Sequence, residues 1–79
     1  MSTLKERDPR KAFGQALRHI RERKRLSQEK LAELAGIHRT YVGDVERGVR
    51  NIALINMNRL ASALGIPLKE LVGEMERIR

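Results

Sequence analysis

The sequence predicts an all-α protein, a single compact domain of five helices. Three observations carry this reading. Apolar residues recur at spacings of three and four along most of the chain, the repeat of one helical face. No segment alternates apolar and polar residues with period two for long enough to make a strand. Glycines at 36, 48 and 65 each stand just past an apolar stripe, where helices stop. A length of 79 residues leaves room for one domain only.

The elements follow in order. The first seven residues read as a polar, flexible tail running up to Asp8, which offers an N-cap with Pro9 at the first helical position. Phe13, Leu17 and Ile20, with Ala16 beside them, form the apolar stripe of the first helix. Ser27 caps a second helix from Gln28 to Ala35, with Leu31 and Ala35 inward, and Gly36 ends it. A third, short helix runs from about His38 to Arg47 and turns Val42 and Val45 inward. Residues 51–53 read as a turn. Leu54, Met57, Leu60, Ala61 and Leu64 give the stripe of the fourth helix, and Ile66-Pro67 opens a fifth containing Leu68, Leu71, Val72, Met75 and Ile78. This divides the chain into a four-helix core over 9–65 and a C-terminal helix over 66–79.

Composition removes several functions. There is no Cys, hence no disulfide, thiolate metal site or cysteine nucleophile. No apolar run approaches the roughly 20 residues of a membrane span and no leader-like segment follows the N-terminus, so a cytoplasmic, nucleoid-associated protein is expected. A net charge of +7 points to a polyanion, nucleic acid before an acidic membrane. The excess is local: residues 1–26 carry nine basic and three acidic side chains, against four and four over 27–50. A basic element beside a more neutral body differs from a uniformly basic, non-specific binder. The basic faces of the first helix also suit plain solvation, and its short stripe without Trp argues against a membrane.

The informative stretch is Gln28 to Arg47. Two helices of about eight residues meet across a turn centred on Gly36, which needs a residue tolerant of positive φ. Ala32 is small where the next helix crosses, and Ile37, Val42 and Val45 lock that helix in place. A small residue, a glycine four positions on, then two β-branched residues three apart make the helix-turn-helix pattern. The plainer alternative is an ordinary helical hairpin.

With these residues in view, the chain resembles the lambda-repressor-like helix-turn-helix regulators, the XRE family, over roughly Phe13 to Val72. Leu26-Ser27-Gln28-Glu29-Lys30-Leu31-Ala32, Gly36-Ile37, Arg39-Thr40-Tyr41-Val42, Val45-Glu46-Arg47-Gly48, Arg50-Asn51, Arg59-Leu60-Ala61 and Ala63-Leu64-Gly65 carry the likeness. Within the family it looks most like the controller proteins of restriction–modification systems. The resemblance implies that the helix from His38 enters the major groove of double-stranded DNA, N-terminal end first. His38, Arg39, Thr40, Tyr41 and Asp44 are then the candidate base readers. Arg39 can grip guanine O6 and N7, Thr40 can meet thymine or a base edge, and Asp44 can accept from cytosine N4. Gln28, Arg47, Arg50 and Asn51 are the phosphate candidates, Gln28 because a helix N-terminus and a side-chain amide converge on an anion there. Arg21 and Glu46 correspond to positions that form a structural ion pair in several family members.

Other chemistry finds no support. Asp44 and Glu46, two apart on a helix, point in different directions and cannot share a catalytic site. His19 and His38 have no third ligand, Ser27 lacks His and Asp partners, and no phosphate loop is present. Neither an enzyme, a cofactor nor a metal is expected. The chain departs from the family at Ile52-Ala53, where a hydroxyl usually caps the fourth helix and Asn51 is the available substitute. It departs again at Gly43, inside the recognition helix, at a propensity cost of ~1 kcal/mol.

A chain this short buries only about 60% of its unfolded surface. Leu71, Met75 and Ile78 extend the apolar stripe beyond the four-helix core, and Gly73 suits close approach of another backbone. Leu68, Leu71, Val72, Met75 and Ile78 are therefore the expected homodimer interface, the alternative being that they complete the monomer. The family implies a two-fold dimer reading a pseudo-palindrome, controlled by its own concentration since no sensing domain is visible. A contact between RNA polymerase and Asp44 or Glu46, taken as surface acids, is a further expectation. The competing function is an antitoxin that uses the same fold to bind a toxin.

Overall fold

The structure is a computed structural model that describes residues 8–78; the expected tail over residues 1–7 lies outside the described residues. Five helices, α1 (Pro9–Arg23), α2 (Gln28–Ala35), α3 (Arg39–Arg47), α4 (Leu54–Leu64) and α5 (Leu68–Ile78), pack around one aliphatic core, with no strand among the described residues.

Local chemistry explains most boundaries. The Asp8 carboxylate accepts the Arg10 amide N–H at 2.9 Å and starts α1. The Ser27 hydroxyl accepts the Lys30 amide N–H at 2.9 Å and starts α2. Gly36, at φ 71°, turns the chain so that the Ile37 N–H reaches back to the Ala32 carbonyl at 3.0 Å. That single left-handed residue sets the angle between α2 and α3. The α1–α2 turn achieves the same reversal without a glycine: Arg25 has φ 60°, and the Leu26 N–H bonds the Arg21 carbonyl at 3.1 Å.

Three boundaries differ from expectation. α5 begins at Leu68, two residues after the expected Ile66. His38 is extended, with φ −70° and ψ 142°, so α3 begins at Arg39 and His38 occupies the cap position without a side-chain hydrogen bond. Ala53, not Asn51, precedes α4, and no side chain caps that helix; Asn51 does not replace the missing hydroxyl.

The core is built from Phe13, Leu17 and Ile20 of α1, Leu31 of α2, Val42 and Val45 of α3, Leu60 and Leu64 of α4, and Leu71 of α5. Leu71 is 0% exposed, which corrects its expected place in a dimer interface. Burying a leucine is worth about 1.5–3 kcal/mol, and here that gain fastens α5 to the rest of the fold. The apolar stripe of α5 thus begins inside the monomer, because α5 packs along α1 rather than projecting beyond a four-helix unit. Leu68, Met75 and Ile78 rest half-buried against the same core, and Val72 is also half-buried. Among the described residues no other element comes within 4 Å of a methyl group placed at Gly73, so no other helix approaches there.

Candidate nucleic-acid interface

The third helix is held from both sides before any of its exposed side chains come into play. On one side α1 crosses α3 at Gly14, where a methyl group would lie 2.3 Å from the Val45 carbonyl oxygen and 2.5 Å from that of Glu46. Only a residue without Cβ permits that approach. The signal was present in the sequence, since a glycine inside a strong helical stripe costs ~1 kcal/mol and calls for a packing reason.

Deeper in the same seam, one carboxylate joins three helices. Arg21 of α1 donates to Glu46 of α3 through Nε to Oε2 at 2.6 Å and Nη2 to Oε1 at 3.0 Å. Its remaining Nη1 donates to the Leu26 carbonyl at 2.8 Å. Gln28 of α2 donates Nε2 to Glu46 Oε1 at 2.8 Å. The Arg21 and Glu46 side chains are 11% and 4% exposed. The hydrogen bonds to Glu46 hold the Arg21 pKa above its ordinary value, against the opposing effect of burial. Charge-assisted bonds in this partly desolvated seam fix both the rotation of α3 and the position of the Gln28 amide. Glu46 is consequently no surface acid, and the expectation that it could touch polymerase is corrected.

The outer face of α3 is open. His38, Arg39 and Thr40 are exposed at its N-terminal end, and Tyr41 is half-buried against the core. Arg39 Nε lies 3.6 Å from Glu29 Oε2, a pair exposed on both sides and readily exchanged for another partner. Further along, Asp44 is occupied by arginines. Arg47 Nη2 donates to its Oδ1, and Arg50 Nη2 donates to its Oδ2 at 3.2 Å. The Arg50 guanidinium also sits over the Tyr41 ring, 4.8 Å from its centroid. Asn51 borders a different feature, a groove of about 330 Å³ that it shares with Pro9, Arg10, Phe13, Ile52, Met57 and Met75.

The structure therefore brings the candidate residues into two groups. Gln28, Arg47 and Arg50 surround α3 with positive charge and hydrogen-bond donors, and His38, Arg39 and Thr40 lead it. Arg21 and Glu46 lie behind the helix. Among the described residues no group of three or more His, Cys, Asp or Glu side chains is placed to hold a metal, and no helix is long and apolar enough to cross a membrane.

Comparison with known proteins matches this geometry. The profile of the Helix-turn-helix family fits residues 17–71. The control protein C.BamHI of Bacillus amyloliquefaciens is 48% identical over 61 residues, covering 76% of this chain and 75% of the relative. The control protein C.SmaI of Serratia marcescens is 42% identical over 65 residues, covering 82% and 77%. The crystal structure of the restriction-modification controller protein C.AhdI from Aeromonas hydrophila superposes with a TM-score of 0.77 at 55% identity, covering 78% of this chain and 94% of that one.

Proposed function

The chain belongs to the helix-turn-helix family of DNA-binding transcription regulators, among its XRE-type members, and from that premise we propose that it works as a homodimeric controller. It occupies a pseudo-palindromic operator near a promoter, its own among them, and its concentration sets the occupancy. The observation that carries this reading is the pairing of a rigidly held α3 with an open leading end. Glu46 and Gly14 fix the helix from behind, while His38, Arg39 and Thr40 stand free of the core in front. That arrangement suits insertion into a major groove, with Arg39 and Thr40 on base edges and His38 and Tyr41 beside them. Gln28, Arg47 and Arg50 then meet the flanking phosphates, and Asn51 is the outermost phosphate candidate.

The dimer surface in this reading moves from its expected place. The large aliphatic side chains most exposed on α4 are Leu54, at 70%, and Ile55, at 63%. Met57 and Met75 line one groove, so the start of α4 lies beside the end of α5. A two-fold contact centred on Leu54 and Ile55, with Val72 and Ile78 at its margin, covers that surface. Two recognition helices about 34–36 Å apart then match one turn of DNA.

The test is a binding titration on the DNA upstream of the gene, with a scrambled competitor. Competitor-resistant binding by the wild type, and loss of about 1–3 kcal/mol in Arg39→Ala with relaxed preference at one base position, supports specific readout. Equal weakening on every sequence would make Arg39 a phosphate contact. Sedimentation of Leu54→Lys tests the dimer, which this change should convert to monomer.

A further inference from the structure

The side chain of Asp44 is only 19% exposed, yet it sits on the face that the proposed function turns toward a polyanion. Both of its oxygens are engaged, Oδ1 by Arg47 and Oδ2 by Arg50. The arrangement has further neighbours. A methyl group at Gly43 would lie 3.4 Å from Arg47 Nη1 and 3.7 Å from Gln28 Oε1, ordinary contact distances, so the Arg47 guanidinium lies folded back over α3 beside Gly43. Arg50 is steadied by the Tyr41 ring. One carboxylate therefore engages two of the cations available to DNA phosphates and offsets one of their two charges.

Resting on the DNA-binding reading above, we infer that Asp44 is an internal counter-ion that restrains Arg47 and Arg50 from indiscriminate phosphate binding, and so determines specificity without reading a base. To engage a phosphate, each arginine must leave Asp44, and the freed carboxylate then stands close to the DNA backbone, where like charges repel. On a correct site the base contacts of the leading end of α3 offset this cost. On any other sequence nothing does. Discrimination arises from a penalty on the wrong partner as much as from attraction to the right one. Asp44 as an acceptor for cytosine N4 is the competing role, and the two make opposite predictions.

The experiment compares the wild-type chain, Asp44→Asn, Arg47→Gln/Arg50→Gln and the triple variant. Two duplexes serve as probes, one of random sequence and one being the tightest duplex that the wild type enriches from a random pool. Asp44→Asn should bind the random duplex roughly fivefold more tightly, with a log–log salt slope steeper by about 1. Its gain on the enriched duplex should be smaller, so the ratio between the two falls. The gain on the random duplex should vanish when Asp44→Asn is made in the Arg47→Gln/Arg50→Gln background. A gain of equal size in both backgrounds would reflect general charge alone and overturn the inference. So would a selective loss on the enriched duplex, the signature of a base reader. Thermal melts of each variant check folding. If the wild type enriches no sequence, the regulator reading itself fails, an outcome distinct from an Asp44→Asn variant that merely behaves like wild type.

Discussion

Arg21 and Glu46, 25 residues apart in sequence, meet in a seam between α1 and α3 through hydrogen bonds of 2.6 and 3.0 Å, and the same carboxylate holds Gln28 of α2. The seam is nearly dry, so neither partner has a substitute in solvent. In Glu46→Ala, Arg21 keeps its charge and loses its main acceptor. The expected cost is about 3 kcal/mol, a fall in melting temperature of roughly 15 °C. Chemical and thermal unfolding check it, and a loss below about 1 kcal/mol would mean that the pair behaves as a surface bridge.

Gly14 sets a separate test of the same crossing. Alanine improves helix propensity by ~1 kcal/mol, but its methyl group would meet the Val45 and Glu46 carbonyl oxygens at 2.3 and 2.5 Å. Backbone atoms of α3 cannot give way cheaply, and overpacking of this kind costs about 3 kcal/mol. The clash outweighs the propensity, so Gly14→Ala should lose about 2 kcal/mol in urea unfolding. A stabilised variant would show that α1 and α3 do not cross this tightly.

Arg25 predicts the opposite sign. Its φ of 60° lies in the left-handed region, where a residue with Cβ pays roughly 1 kcal/mol that glycine does not. Arg25→Gly should raise stability by about 0.5 kcal/mol, less than the full strain because glycine gains freedom in the unfolded chain. A melting temperature that falls instead would contradict the turn.

Asp8 carries the pH prediction. Side-chain and backbone hydrogen bonds from Arg10 lower its pKa from 3.8 to about 2. A carboxyl depressed by folding adds stability that is fully present above the unfolded pKa, near 4, and is lost as pH falls toward 2. Carboxyl chemical shifts followed by NMR should place the Asp8 titration near pH 2. In Asp8→Asn this part of the acid dependence should disappear, while a titration near 4 in the wild type would show that the Arg10 contacts do not persist in solution.

Much of this architecture is local, and therefore legible. The spacing of Phe13, Leu17 and Ile20, the Ser27 cap and the glycine at 36 each act within a few residues, so the helices and the turn between α2 and α3 follow from the chain read alone. The leading end of α3 is legible for the same reason: His38 at the cap and Arg39 and Thr40 in the first turn owe their exposure to their place at the helix N-terminus. Only tertiary structure decided the rest. A stripe of apolar residues says which face of α5 is sticky but not what covers it, and α1 covers Leu71. Asp44 looks like a free acid until Arg47 and Arg50 are seen to converge on it. Gly14 is an ordinary weak point in a helix until two carbonyl oxygens of α3 arrive against it. For Leu71 and Gly14 the deciding partner lies on another helix, and its distance depends on how whole helices pack, which no local pattern encodes. Arg47 is three residues from Asp44 on the same helix, a spacing already present in the sequence, whereas Arg50 joins it only because the chain turns at Gly48.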